Sequence, residues 1–270
     1  MSSAQKVIKY CAMAFALFLA VSIIFGIINV LMLFGSVFTN SDKDTLEDLK
    51  DLNVSSNISS LDIDVASVKI TIEEGDTFKV LTNNKYIKAS EENNKLYITQ
   101  DDNSIFKTES GDLVIYVPSY LTFNEADIET GAGKVDIKTL IANKLELDLG
   151  AGATSIENLV VYNSSKINGG AGEMTISKST LNNLDLDMGI GKTTITARIL
   201  GTSKVNTGIG EMNLNLVGTS SDYNIHLNRG LGSSTIDGKD FEDDTSYGTG
   251  ENNVSVEGGI GSIKINFVNN

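Results

Sequence analysis

The sequence predicts an all-β chain, a β-solenoid (parallel β-helix) of about 19–20 residues per coil, preceded by one amino-terminal transmembrane α-helix. Three observations predict it. A Gly-x-Gly pair recurs seven times at nearly constant spacing, apolar and polar positions keep register around each pair, and one long uncharged segment precedes them all.

The uncharged segment runs from Tyr10 to Phe38, 29 residues of which 24 are apolar. As a helix it would reach about 43 Å, more than the ~30 Å hydrocarbon core requires. Its exit, Leu33-Phe34-Gly35-Ser36-Val37-Phe38, lacks the small-residue cleavage site of a signal peptide, so an uncleaved anchor is expected. Lys6 and Lys9 stand before it and Asp42 and Asp44 after it. The positive-inside bias then places residues 1–9 in the cytoplasm and the carboxy-terminal domain outside, which makes a single-pass cell-membrane protein. Residues 39–57 read as a juxtamembrane stalk. Leu46, Leu49 and Leu52 would suit a short helix there, and a solvated linker fits equally well.

Composition excludes several function classes. The chain holds 21 bases against 35 acids, a net charge of −14, and both lysines of the tail lie before the first acid. Such an anionic body repels phosphate backbones, so no nucleic-acid partner is expected. One His and one Cys supply neither a His/Cys metal cluster nor a disulfide framework. No metal, cofactor or catalytic residue is expected.

The extracytoplasmic domain is expected at 58–268, with a wider amino-terminal part at 58–128 and glycine-pair repeats at 129–268. The pairs are Gly131/Gly133, Gly150/Gly152, Gly170/Gly172, Gly189/Gly191, Gly208/Gly210, Gly230/Gly232 and Gly259/Gly261, spaced 19, 20, 19, 19, 22 and 29. Three residues before each first glycine stands an apolar residue (Ile128, Leu147, Ile167, Leu186, Val205, Leu227, Val256), and another stands six after it (Ile137, Ile156, Ile176, Ile195, Leu214, Ile236, Ile265). A third apolar column lies between the glycines: Ala132, Ala151, Ala171, Ile190, Ile209, Leu231 and Ile260. Two before the pair every residue is polar.

These columns select the fold. Leu184-Asp185-Leu186-Asp187 alternates with period two, and no copy has room for a ten-residue helix besides its strands. At ~3.3 Å per residue, 19 residues trace a loop of three short sides that stacks on the next at ~4.8 Å. The apolar columns then line the interior, and glycine at a corner allows positive φ and close approach of the next coil. A leucine-rich repeat is the alternative fold, but a glycine pair stands where it needs asparagine. Leu61 to Ile72 aligns without a gap to Leu184 to Ile195, so the stack is expected to begin near residue 61. Strands are expected at 77–82, 95–99 and 112–117, and Phe267 is expected to plug the far end.

Other motifs are weaker. Gly191-Lys192-Thr193 lacks the upstream glycine of a phosphate-binding loop, since position 186 is leucine, so no nucleotide is expected. Asp237, Asp240, Glu242, Asp243 and Asp244 form a candidate cation or ligand loop, with a solvated excursion as the plainer reading. The column two before the glycines runs Asp148, Asn168, Asp187, Asn206, an alternation that keeps carboxylates ~9.6 Å apart. His226 is expected to point outward.

The order Leu61-Asp62-Ile63-Asp64, Leu113-Val114-Ile115-Tyr116-Val117-Pro118, Thr130-Gly131-Ala132-Gly133-Lys134-Val135-Asp136-Ile137 and the later glycine pairs resembles a bacterial family of unknown function described as β-strand-repeat or "putative adhesin" proteins. The resemblance covers about 58–268 and implies a β-helical envelope domain, sometimes membrane-attached. It carries over no catalytic residues. The function expected is therefore non-enzymatic: a membrane-anchored binding, adhesion or scaffold protein with an envelope protein or cell-wall partner. An envelope-stress sensor acting through a membrane partner and, more remotely, a carbohydrate-active β-helix enzyme are the alternatives.

Overall fold

Side chains that alternate with period two leave the backbone extended, and an extended chain must find hydrogen-bond partners alongside. Here the partners come from the neighbouring coils. The computed structural model describes residues 49–101, 111–242 and 244–269, all within the unit Thr45–Asn270. The expected tail at 1–9, membrane helix at 10–38 and stalk residues 39–48 lie outside the described residues. Among the described residues every element is a strand, and no helix is long and apolar enough to cross a membrane.

Sixteen strands are described: β1 (Lys50–Asp51), β2 (Ser60–Glu74), β3 (Lys79–Thr82), β4 (Ile87–Glu92), β5 (Lys95–Gln100), β6 (Asp112–Val117), β7 (Phe123–Ile137), β8 (Leu140–Glu157), β9 (Leu159–Asn182), β10 (Leu184–Leu200), β11 (Thr202–Val217), β12 (Tyr223–Asn228), β13 (Leu231–Ile236), β14 (Lys239–Asp240), β15 (Thr245–Tyr247) and β16 (Asn252–Val268). From β7 to β11 each strand pairs in parallel with the next, one coil on. Each coil has three sides: one before the glycine pair, one after it, and a third seen in the pairings Leu140↔Leu159 and Ala197↔Ser179. The corners between sides take residues with positive φ, such as Asn158, Asn183 and Gly201.

At the stack's two ends, order in space departs from order in sequence. β2 does not start the stack. It pairs with β7 on one side and with both β5 and β6 on the other, so a split rung made of β5 and β6 lies beneath it. Likewise β16 does not finish it, for it lies between β11 and a split rung made of β12 and β13. The first and last long strands of the sequence are thus each threaded one rung inward. Antiparallel strands close the two split rungs: β4 on β5, β3 on β6, β15 on β12 and β14 on β13. Short antiparallel caps leave little edge for another chain to join. The expectation that the stack begins at residue 61 and ends in the last coil is corrected accordingly.

β1 pairs with β3, and Leu52 and Val54 pack against the core, so the sheet reaches back into the segment read as stalk. Lys50–Asp51 is strand there, not helix. The two interior columns at −3 and +6 are all buried, with Ile236 the most exposed at 3%. Burying each such side chain contributes roughly 1.5–3 kcal/mol. Phe267 packs on Tyr223 and Tyr247, and Phe241 meets Tyr247, which forms an aromatic plug under the carboxy-terminal cap. Phe267 therefore serves the plug from one rung inside the end.

Candidate functional site

With the interior filled, the outward faces are what the domain offers. The glycine pairs form one corner of the coil and stack into a continuous ridge, as in Gly152↔Gly172, Gly172↔Gly191 and Gly191↔Gly210. A Cβ on Gly191 would lie 1.8 Å from the Gly172 carbonyl oxygen, and Gly191 has φ +145°. The backbones of successive rungs meet here with no side chain between them.

The last two pairs correct the expected order and the expected uniform corner. In sequence order Gly232 would stack on Gly210 and Gly261 on Gly232. Instead Gly261 stacks on Gly210 and Gly232 on Gly261, because β16 is threaded between β11 and β13. Gly232 and Gly261 are also exposed, whereas Gly152, Gly172, Gly191 and Gly210 are half-buried, since only the split rung lies at that end. Gly261 keeps the positive φ of the earlier rungs, +147°, but Gly232 has none. Its rung is broken between β12 and β13, and Gly230, with φ +62°, makes that bend. The close approach survives the break: a Cβ on Gly232 would lie 1.7 Å from the Gly261 carbonyl oxygen.

The residues between the glycines point outward, against the expectation that this apolar column lines the core. Ile209 is 39% exposed, Ile260 53% and Leu231 72%. Following the ladder, the ridge reads Ala132, Ala151, Ala171, Ile190, Ile209, Ile260, Leu231. It is small at one end and greasy at the other. Beneath the alanine half lies a void of about 20 Å³ lined by Thr130, Leu149, Met174, Met188 and ridge glycines, room for a single water.

On one flank of the ridge runs the polar column. Asn168 Nδ2 donates to Asp148 Oδ1 at 2.5 Å, and Asn206 Nδ2 donates to Asp187 Oδ1. Threading β16 inward prolongs the pattern, because Glu257 stacks on Asn206 and Asn228 on Glu257. In space the order is acid, amide, acid, amide, acid, amide. Asn206→Asp should therefore set three carboxylates in adjacent rungs. The expected loss is about 1 kcal/mol at low salt, shrinking as salt is added, by urea unfolding at two ionic strengths.

Towards the amino-terminal end the same face is more acidic. Asp62, Asp127 and Glu146 stack in successive rungs. Lys95 Nζ lies 2.6 Å from Asp62 Oδ2. Burial first, then Asp62 and Glu146, hold the Asp127 carboxyl above the usual carboxylate range, while Lys95 pulls the other way. A raised folded pKa favours the protonated form. That contribution to stability is complete below the unfolded pKa, about 3.9, and is lost as pH rises through the folded value. Asp127→Asn is thus expected to raise the thermal midpoint at about pH 7 and leave it unchanged at about pH 3.

The described acids of the loop do not gather into one cluster. Asp237 and Gly238, both with positive φ, make the β13–β14 turn, and Asp237 Oδ1 accepts from Phe267 N at 3.1 Å. Asp240 belongs to β14, the Glu242 carbonyl accepts from Thr245 Oγ1, and Asp243 lies outside the described residues. Asp244 instead meets His226, Oδ1 to Nε2 at 3.4 Å, while His226 Nδ1 lies 3.4 Å from Ser246 Oγ. Sequence reasoning missed this Ser-His-Asp trio because the antiparallel β15 supplies it from twenty residues on. Its His and Asp side chains are 50% and 80% exposed, and serine contacts the nitrogen that a hydrolase triad gives to the acid. It fastens β15 to β12. Among the described residues no group of three or more His, Cys, Asp or Glu is placed to hold a metal ion.

The periodic ridge, the filled interior and the long parallel ladders agree with a family match over residues 58–260, described as Toastrack DUF4097. The chain belongs to the Toastrack DUF4097 family. Similar solved structures include a "putative cell adhesion protein" from Clostridium sporogenes, 16% identical with a TM-score of 0.33, covering 82% of this chain and 98% of that one. A "putative adhesin" from Bacteroides fragilis is 10% identical with a TM-score of 0.34, covering 80% and 95%. A "putative lipid binding protein" from Parabacteroides distasonis is 14% identical with a TM-score of 0.26, covering 82% and 96%. No curated protein matches the chain. Across the Toastrack domain the match takes in the ridge down to Ile260.

Proposed function

We propose that the Toastrack domain stands outside the cell on an uncleaved single-pass anchor at 10–38, with residues 1–9 in the cytoplasm, and acts as a non-enzymatic binding or adhesion module. Its partner is an envelope protein or a cell-wall component, held by the side faces of the stack. One observation carries the non-enzymatic part of this reading: the coil interior is packed with apolar side chains, and the void under the ridge admits a single water. A substrate needs a cleft of several hundred Å³ with convergent polar groups. The two hollows beside Gly75, about 400 and 410 Å³, one reaching Lys79 and Tyr116 and the other Pro118 to Tyr120, are open to solvent rather than enclosed.

The anchor is tested in whole cells with a membrane-impermeant thiol reagent, in a Cys11→Ser background. Ser164→Cys should label in intact cells and Ser3→Cys only after lysis; the reverse pattern overturns the topology. For binding, the purified Thr45–Asn270 unit, which holds the whole described core, should sediment with isolated cell envelopes in a saturable manner. Absence of saturable binding, or turnover of wall polysaccharide by the purified unit, overturns the reading.

A further inference from the structure

The ridge has two flanks, and their residues complement one another without touching. In each rung one flank residue stands two before the first glycine position and the other three after it. Acid goes with lysine at Asp64/Lys69, Glu129/Lys134 and Asp187/Lys192, and amide goes with glutamate at Asn168/Glu173 and Asn206/Glu211. The remaining rungs set an acid or amide against Ala153, Ser262 or Ser233. No rung carries two acids, although the chain holds 35 acids against 21 bases. Part of the pattern serves the chain itself, since Lys192 stacks between Glu173 and Glu211 and Glu211 pairs with Lys264 at 3.0 Å, but nothing among the described residues joins one flank to the other. Among the described residues, Lys69, Lys134 and Lys192 form no ion pair with the acid of their own rung or with any other.

Between the flanks the outward column grows more apolar along the stack, to Ile209, Ile260 and Leu231 at 39%, 53% and 72% exposure. A contiguous exposed apolar strip on a strongly anionic protein calls for a cover. We propose that the cover is a second copy of this chain, lying parallel and side by side along the glycine ridge with a two-fold axis along the stack. That axis sets each rung opposite its own copy. Ile209 then meets Ile209, and the flank before the glycines faces the partner's flank after them. Asp187 comes opposite Lys192 of the other copy and Asn206 opposite Glu211, so five of these eight rungs are self-complementary and none sets acid against acid. The shared ~4.8 Å repeat keeps register along the whole ridge. An antiparallel pair would instead set like flanks against each other and overlap over fewer rungs. Four large side chains fall short of the ~800 Å² per partner of a stable interface, so the flanking columns complete the contact and the association is reversible. This pairing goes beyond the proposed binding role and needs neither the anchor nor an outside ligand.

Full-length protein in its membrane, in a Cys11→Ser background, tests the pairing by oxidative cross-linking. Ile209→Cys and Ile260→Cys should each give disulfide-linked dimers about tenfold faster than the exposed Tyr162→Cys on another face, because only residues near the two-fold axis come within disulfide reach. Lys192→Glu, made in the Ile209→Cys chain, should slow cross-linking severalfold. Adding Asp187→Lys, which exchanges the two charges, should restore it. Three results overturn the proposal: Tyr162→Cys dimerising as fast, cross-linking only in mixtures of Ile209→Cys with Ile260→Cys, or no response to Lys192→Glu. Circular dichroism of each purified variant separates loss of pairing from loss of fold.

Discussion

Gly191→Ala is expected to destabilise the domain by about 4 kcal/mol or more, although it adds one methyl group at the surface. The added Cβ would sit 1.8 Å from the Gly172 carbonyl oxygen and 2.9 Å from its carbon, both backbone atoms of the rung below. No side chain can rotate away. The φ of +145° is itself one that an L-residue rarely adopts. Relief requires the rungs to separate, which strains the β9–β10 ladder from Leu184↔Ser165 to Leu200↔Asn182. The neighbouring Ile190→Ala removes more atoms yet should cost less than about 1 kcal/mol, because Ile190 faces outward. Urea unfolding followed by circular dichroism compares the two. A Gly191→Ala midpoint equal to that of Ile190→Ala would contradict the close-packed ridge.

The second large effect is expected from ending the chain after Glu251, which removes β16. Among the described residues that strand carries the strand pairing between β11 and the split rung of β12 and β13, with parallel ladders on both edges, beside a hydrogen bond from the Tyr223 hydroxyl to Val217 O at 2.8 Å. Without it β12 to β15 have nothing to stack on, and the Tyr223–Phe267 contact is gone. Solenoid stability is close to a sum over neighbouring rungs, so the damage should stay local. Amide exchange should show residues 223–247 unprotected and β7 to β10 still slow. The bared edge of β11 should also promote aggregation. Continued protection of Tyr223 to Asn228 in the shortened chain would refute the threaded order.

The interior columns were readable because the repeat length of the sequence is the length of one rung, so residues such as Leu186 and Ile195 recur at the same place in each coil. The direction of the middle column was not. Before the glycines the buried positions are −5 and −3, as at Leu184 and Leu186. After them they are +4 and +6, as at Thr193 and Ile195. The two-residue alternation slips by one at the corner, so extending it from Leu186 puts Ile190 inside while counting back from Ile195 puts it outside. Nothing local marks the threading either. The spacings of 22 and 29 announce an interruption without saying where the last rung goes, so Gly232 and Gly261 read as consecutive steps although they stack in reverse. One trace is the polar column, which keeps alternating only if Glu257 precedes Asn228 in space. The His226 contacts were hidden for a related reason, since an antiparallel cap obeys no repeat.

Threading the first long strand inward has a mechanical consequence. Once the two-residue β1 has peeled from β3, tension arriving through the amino-terminal segment meets β2, which is gripped by β7 on one side and by β5 and β6 on the other. A strand at the rim could be unzipped one hydrogen bond at a time. This one must shear two ladders together before it yields, so the body resists a steady pull at the point where a tether would deliver it.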